Sequence, residues 1–276
     1  MTAADERVAL APRARMLVTQ CRRLVRRLST RNDILLLTTS TRYAAHRWDV
    51  PKSTQLARRV QQELRRLGRR VTLMDVTALR IHTCEGNISG GRGNGCGVPE
   101  AKLPDRRKNP TGHHRCWASI NNADDQLFRI SRALFASKVV IFFASVRWGQ
   151  TDSVYQRLFE RLSWIENRVS TLGEAPISQL AGLEAGMVLF GHNWLDAQVL
   201  RTQQQNFAWF GWRVPAALSF AWQFTAHPEV ESAASYERAA AEFTAVMAED
   251  FRPRGPGRSR AVSGLKFKPP PIQETG

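Results

Sequence analysis

The sequence predicts an α/β protein: a three-layer sandwich with a five-stranded parallel sheet in the order 2-1-3-4-5 and helices on both faces. Three features predict it. Short apolar runs alternate with segments of helical periodicity. The strongest runs, Asp33–Thr39 and Ser137–Ser145, are apolar on both faces, as strands buried between two helical layers must be. Turn signals separate the elements at the spacing that right-handed crossovers require.

Leu17, Cys21, Leu24 and Leu28 recur at helical spacing with Arg15, Arg22, Arg23, Arg26 and Arg27 in other directions, so residues 1–31 are expected to be a basic arm holding an amphipathic helix that docks on its own protein. DILLLTT at 33–39 is the first strand. Leu56, Val60, Leu64 and Leu67 define a helix stopped at Gly68, and Val71–Val76 is the second strand. A long loop occupies 77–123. Asp124–Ala136 is expected to be helical and 137–145 is the third strand. Asp152 stands as an N-cap before a helix marked by Val154, Leu158, Leu162 and Ile165. Gly186–Gly191 is the fourth strand, Leu195–Phe210 a helix, Trp212–Ala221 the fifth strand and Tyr236–Phe251 the last helix. From Arg252 a Pro-, Gly- and Arg-rich tail without periodicity is expected to be disordered. The expected organisation is an arm at 1–31, one domain at 32–251 and a tail at 252–276.

Composition narrows the function. The chain of 276 residues carries a formal net charge of +16. Residues 1–31 contribute +6 and 252–276 contribute +5, leaving +5 for the rest. Of the basic residues 34 are Arg and six are Lys, a bias that suits genome composition as well as phosphate binding, so a nucleic-acid partner is not expected. No apolar run approaches the roughly 20 residues of a membrane span, and the N-terminus shows no secretory signal. Cys21, Cys84, Cys96 and Cys116 therefore read as reduced thiols of a cytoplasmic protein. Cys84, Cys96 and Cys116 lie in the long loop with His82, His113 and His114, but the spacing C-x11-C-x19-C fits no compact cluster, and no metal is expected. The loop is expected to be a lid over the ligand or an arm that contacts a second subunit. Its GGRGNG run neither follows a strong strand nor opens a helix, so it is not a dinucleotide fingerprint. Walker A and G-x-S-x-G sequences are absent, which disfavours ATP chemistry and hydrolysis.

In parallel sheets of this order the ligand lies beyond the carboxyl ends of the strands, at the topological switch point. Three loops fall there. After the first strand come Ser40, Thr41 and Arg42, then Lys52, Ser53 and Thr54 opening a helix: hydroxyls, cations and helix N-terminal N–H groups suited to a phosphate. After the third strand come Ser145, Val146, Arg147, Trp148, Gly149 and Gln150, where Trp-Gly beside the switch point suits a planar aromatic ligand. After the fourth come Gly191, His192, Asn193 and Trp194, placed to flank a ring from the other side.

These motifs resemble the NADPH-dependent FMN reductase family of the flavodoxin-like superfamily over about residues 32–222. Ser40, Arg42, Ser53 and Thr54 match the family's phosphate loop in order. Trp148 and Gly149 match its ring-binding loop, Phe159-Glu160-Arg161 resembles the ending of the next helix, and Asp124-Asp125 resembles an acidic pair before the preceding one. Some seven extra residues around Tyr43–Pro51 lengthen the phosphate loop. Ser145 stands where the family often has Pro, and Arg147 where it often has Tyr. The resemblance implies FMN as cofactor and NAD(P)H as co-substrate, with hydride passing to the flavin and on to an acceptor that the residues do not specify. No side-chain acid or base is required for that transfer, so no catalytic residue is expected. It also implies a homodimer. Arg147 is expected to place its charge near the flavin N1–O2 edge and favour the anionic reduced form. A flavin-binding electron carrier or sensor without NAD(P)H turnover, and a basic nucleic-acid-associated protein on the same fold, are the alternatives.

Overall fold

The computed structural model describes residues 10–44, 47–48, 50–86, 95–191, 194–225 and 231–253. Five parallel strands form its centre: β1 (Ile34–Thr38), β2 (Val71–Asp75), β3 (Val139–Arg147), β4 (Glu184–Gly191) and β5 (Phe220–Gln223). Their order across the sheet is 2-1-3-4-5, as expected of a flavodoxin-like fold. Ile34 pairs with Val71 on one side and Val139 on the other; Val139 pairs with Glu184, and Val188 with Phe220. The helices are α1 (Pro12–Leu28), α2 (Lys52–Arg66), α3 (Leu127–Phe135), α4 (Ser153–Ser170), α5 (Asp196–Trp209) and α6 (Ala233–Ala248).

Because strand side chains alternate, the apolar runs feed two cores. Leu35, Leu37, Val140, Phe142, Ala144, Met187 and Leu189 face the layer of α3, α4 and α5. Ile34, Leu36, Val139, Ile141, Phe143, Val188 and Phe190 face α1, α2 and α6. Helix α1 belongs to this second core. Seven of its residues, Ala14, Leu17, Val18, Cys21, Leu24, Val25 and Leu28, are buried. Arg27 and Arg31 also reach the carboxylate of Glu184, at 2.6 and 3.0 Å. Burial pushes that carboxyl up, and Arg31, Arg27 and Arg213 outweigh it, holding Glu184 below its ordinary value.

Several boundaries differ from expectation: the helix expected at 124–136 begins at Leu127, and the third and fourth strands are Val139–Arg147 and Glu184–Gly191. The fifth strand is Phe220–Gln223 rather than 212–221, because Pro215 removes a donor and a 3-10 turn at Ala216–Leu218 follows. That turn lies directly on β4: a Cβ on Gly186 would fall 2.2 Å from the Leu218 carbonyl oxygen. The last helix begins earlier, at Ala233, under a capping box between Ser232 and Ser235.

The described part of the 77–123 segment packs on α3 and α4, and none of its residues beyond Thr77 lines a cleft at the carboxyl end of the sheet. The lid expectation is therefore not met by the described residues. The segment is fastened by the fully buried pair Arg161 and Asp125. Arg161 Nη1 donates to Asp125 Oδ2 and to the His82 carbonyl, both at 2.7 Å, and Nε donates to Cys116 Sγ at 3.4 Å. Ser119 Oγ donates to Asp125 Oδ1, and the His114 ring bridges Ser119 and Ser131 at 2.9 and 2.8 Å. Burial, with the Arg161 charge adding, pushes His114 down to about 3. Burial pushes the Cys96 thiol up to about 12. Among the described residues no three His, Cys, Asp or Glu side chains are arranged to hold a metal ion, and no helix is long and apolar enough to cross a membrane.

Candidate functional site

The carboxyl end of the sheet carries a cleft of about 280 Å³ where the loops after β1, β3 and β4 meet. Its origin is topological. β1 and β3 are adjacent, their following helices lie on opposite faces, and the loops splay apart over the sheet edge. Ser40, Thr41 and Arg42 after β1, with Pro51, Lys52 and Ser53 at the start of α2, form one wall. Ser145, Val146, Arg147, Phe190 and Gly191 form the floor and opposite wall, and Phe224 and Tyr236 close the side toward β5.

Asp152 organises this junction. Its Oδ1 caps α4 by accepting from the Tyr155 N–H at 2.9 Å. Its Oδ2 accepts from Thr39 Oγ1 and the Ser145 N–H, both at 3.0 Å, and from Ser40 Oγ at 3.4 Å. One buried carboxylate thus ties the end of β1, the end of β3 and the start of α4. Ser53 Oγ donates to Ser40 Oγ at 2.9 Å, closing the chain of hydroxyls onto α2. Across the cleft mouth Arg147 Nη2 donates to the Thr41 carbonyl at 3.1 Å, joining the two expected ligand loops directly.

The chemistry of the donor set points to an anion beside an apolar plate. Helix α2 begins at Lys52 without a side-chain cap, so the Ser53 and Thr54 N–H groups are left for a ligand. Thr54 is buried, yet its Oγ1 has no partner, an arrangement that costs about 1–3 kcal/mol unless something accepts from it. It lines a smaller cleft of about 180 Å³ continuous with the first through Ser40, Thr41, Arg42 and Pro51, where Arg58 also reaches. Arg42, Lys52 and Arg147 line the main cleft with no acidic side chain among the described residues, and Asp75 lines the smaller one. Val146, Phe190 and Phe224 supply the apolar surface, and Lys52 Nζ sits 5.1 Å from the Phe224 ring centroid.

The structure therefore brings together Ser40, Thr41, Arg42, Ser53, Thr54, Ser145, Val146, Arg147 and Gly191 from the residues singled out in sequence. Trp148, Gly149 and Gln150 do not line the cleft. Trp148 (φ 49°) and Gly149 (φ 69°) form a two-residue hairpin turn, with Arg147 paired to Gln150 and Val146 to Thr151, and Trp148 stands 92% exposed at its tip. Gly149 is required there, since a Cβ would lie 2.7 Å from Leu195 Cδ1 as well as sit at positive φ. His192 and Asn193 lie outside the described residues; Trp194 beside them is 39% exposed. Sequence reasoning named Asp152 only as a cap and missed Phe224 and Tyr236. Phe224 lay past the expected end of the fifth strand, and Tyr236 carried only a helix-start signal. A second cavity, about 250 Å³, lies at the opposite end of the sheet among Ile165, Val169, Ile177, Leu180 and Phe210. It has no cation or helix N-terminus.

No protein-family model matches the chain, and no curated protein matches it by sequence. Solved structures do match by shape. The structure of RosB with the bound intermediate 8-demethyl-8-formylriboflavin-5′-phosphate superposes with a TM-score of 0.51 at 12% identity, covering 78% of this chain and 74% of that one. An azoreductase from Bacillus anthracis str. Sterne matches at TM-score 0.45 and 10% identity, over 78% of this chain and 94% of its own. The NAD(P)H:quinone oxidoreductase from Methanothermobacter marburgensis matches at 0.42 and 8%, over 78% and 94%. The likeness to RosB establishes a shared fold.

Proposed function

We propose that the chain is an FMN-dependent NAD(P)H oxidoreductase that binds its flavin in the cleft above β1, β3 and β4. The observation that carries this reading is the pairing of an unpartnered, buried Thr54 hydroxyl and an uncapped helix terminus with a cation-lined cleft at the switch point that also offers the apolar surface of Val146, Phe190 and Phe224. The fold shared with a protein that holds a riboflavin 5′-phosphate derivative supports it. On this reading Ser40, Thr41, Arg42, Ser53 and Thr54 hold the phosphate. Ser145, Val146, Arg147 and Gly191 hold the ring. Bound FMN supplies two-electron exchange between a nicotinamide and an acceptor. The protein's part is to neutralise the phosphate, exclude water with Phe190 and Phe224, and set the charge at the ring edge with Arg147. We assign Trp148, Gly149 and Gln150 to a contact with a second subunit, because a fully exposed Trp on a rigid hairpin suits burial by a partner.

Titration of the purified chain with FMN tests the assignment. The expected result is stoichiometric flavin binding with absorption near ~450 nm, bleached by NADPH without oxygen. Thr54→Val, close to isosteric, is expected to weaken FMN binding by about 1–2 kcal/mol, roughly 5- to 30-fold, with the fold intact. No saturable flavin binding would reject the proposal. Binding without bleaching would leave an electron carrier.

A further inference from the structure

We infer that the layer formed by α1 and α2 is a binding face for the phosphate backbone of a nucleic-acid duplex, meeting the cleft at the start of α2 and at Arg58. Read along the chain, the positive charge sits in an arm, a tail and a weakly basic middle. Folding rearranges it. Helix α1 carries six Arg and no acid, and it lies beside α2, which carries Lys52, four Arg and one acid. That acid, Glu63, is fully buried, where it pairs with Arg59 and Arg66. The two rows adjoin at residues 249–251. Arg22 Nε donates to the Asp250 carbonyl at 2.9 Å, and Arg59 Nη2 donates to the Glu249 carbonyl at 3.2 Å. Among the described residues, acids reach this face at its edges, where Glu249 pairs with Arg22, Asp250 with Arg252 and Glu184 with Arg27; Glu237 and Glu242 lie on α6.

The outward positions are cationic by geometry. The buried residues of α1 fix its inner side, which leaves Arg15, Arg22 and Arg26 as a row and Arg23 outermost. In α2 the same argument leaves Gln62 outermost, flanked by Arg58, Arg65 and Arg66, all exposed. Arg15, Arg23, Arg26 and Arg58 are exposed, and their guanidinium groups make neither an ion pair nor a hydrogen bond among the described residues. Unopposed guanidinium groups on two rigid helices repel one another unless an anion lies over them. A row of about 16 Å on a rigid helix suits an extended anion with several spaced charges, and guanidinium groups match phosphate oxygens in pairs. A membrane surface is the poorer match. An interfacial helix must offer an apolar side, and that of α1 is already in the core, with only Met16 exposed among its larger apolar residues.

The test measures binding of the full chain to a fluorescently labelled mixed-sequence DNA duplex as salt is varied. The expected result is sequence-independent binding that weakens steeply with salt. Combining Arg15→Gln, Arg23→Gln, Arg26→Gln and Arg65→Gln is expected to weaken it at least tenfold. The slope of log affinity against log salt should fall by about 3–4, near 0.9 for each phosphate left without its cation. The four matching Lys substitutions should keep most of the slope. FMN binding and thermal stability serve as controls for folding, and Arg23→Glu alone, at the most exposed position, provides a milder variant. Four results would each overturn the inference: no duplex binding by the unaltered chain; equal affinity and slope in the Gln variant; binding abolished by removing 254–276 alone; or tighter binding to phosphatidylserine vesicles than to duplex.

Discussion

At the scale of single residues, the site depends on which polar atoms are satisfied from within. Ser40 and Ser53 are committed to each other and to Asp152, whereas the Thr54 hydroxyl has no partner. The first two shape the loop and the third is available to a ligand. Arg147 is held across the cleft mouth by the Thr41 carbonyl, so its charge is fixed in position without being neutralised. A fixed cation beside a flavin stabilises whichever redox form carries more negative charge. Arg147→Tyr is therefore expected to lower the midpoint potential, by ~30 mV for each tenfold loss of preference for the reduced form. Spectroelectrochemical titration reads this directly; an unchanged or higher potential would place the guanidinium away from the ring. The sequence made the cleft-lining positions 40–42, 53, 145–147 and 191 legible because strand ends and helix starts leave local signals. It hid the role of Asp152, because an N-cap looks the same whether it satisfies one N–H or joins three elements.

At the scale of elements, the 77–123 segment shows how a long connection becomes structure. Its anchor, Arg161 with Asp125, is fully buried and satisfied by His82, Cys116, Ser119 and the Leu127 N–H. Burial alone would push the Asp125 carboxyl up, but Arg161 and the two N–H donors outweigh it and keep Asp125 below the usual carboxylate value. Asp125→Ala leaves a buried, unpaired guanidinium and is expected to cost about 3–5 kcal/mol in chemical unfolding. His114 adds a pH dependence. Its folded-state value near 3 lies below the ordinary 6.5, so the unfolded chain binds a proton that the folded chain refuses. Its contribution is complete above pH 6.5 and is lost as pH falls, reaching about 2 kcal/mol by pH 5. His113, also held down by burial, acts in the same direction. His114→Gln should flatten the stability profile between pH 6.5 and 5; an unchanged slope would show that His114 does not set it. Asp125 and Arg161 stood out in the sequence as separate motifs, but their pairing was not legible, because the network's members are spread from 82 to 161 and meet only through the crossover from α3 to α4.

At the scale of the whole molecule, the sheet order followed from the sequence because β1, β3 and β4 are apolar on both sides, and only a doubly covered parallel sheet accommodates that. The extent of the core did not follow. Periodicity marked α1 as amphipathic, but no local signal says that its partners are the 216–218 turn and α6. A chain beginning at residue 32 would leave uncovered the surface that seven α1 side chains bury. At roughly 1.5–3 kcal/mol for each larger one, the loss is comparable with the ~5–15 kcal/mol total stability of a domain. Such a truncation is expected to be insoluble or partly unfolded by circular dichroism, whereas removing 254–276 should leave the unfolding midpoint unchanged.

The long reach of α1 also affects how the protein is made. The helix leaves the ribosome ahead of the sheet it covers, and the 216–218 turn that receives it follows almost 200 residues later. At translation speeds of ~5–20 residues per second that is a wait of roughly 10–40 s. Throughout that interval a greasy stripe flanked by arginines is on display. The nascent chain is thus a natural client for a holding chaperone until the 216–218 turn and α6 have been made.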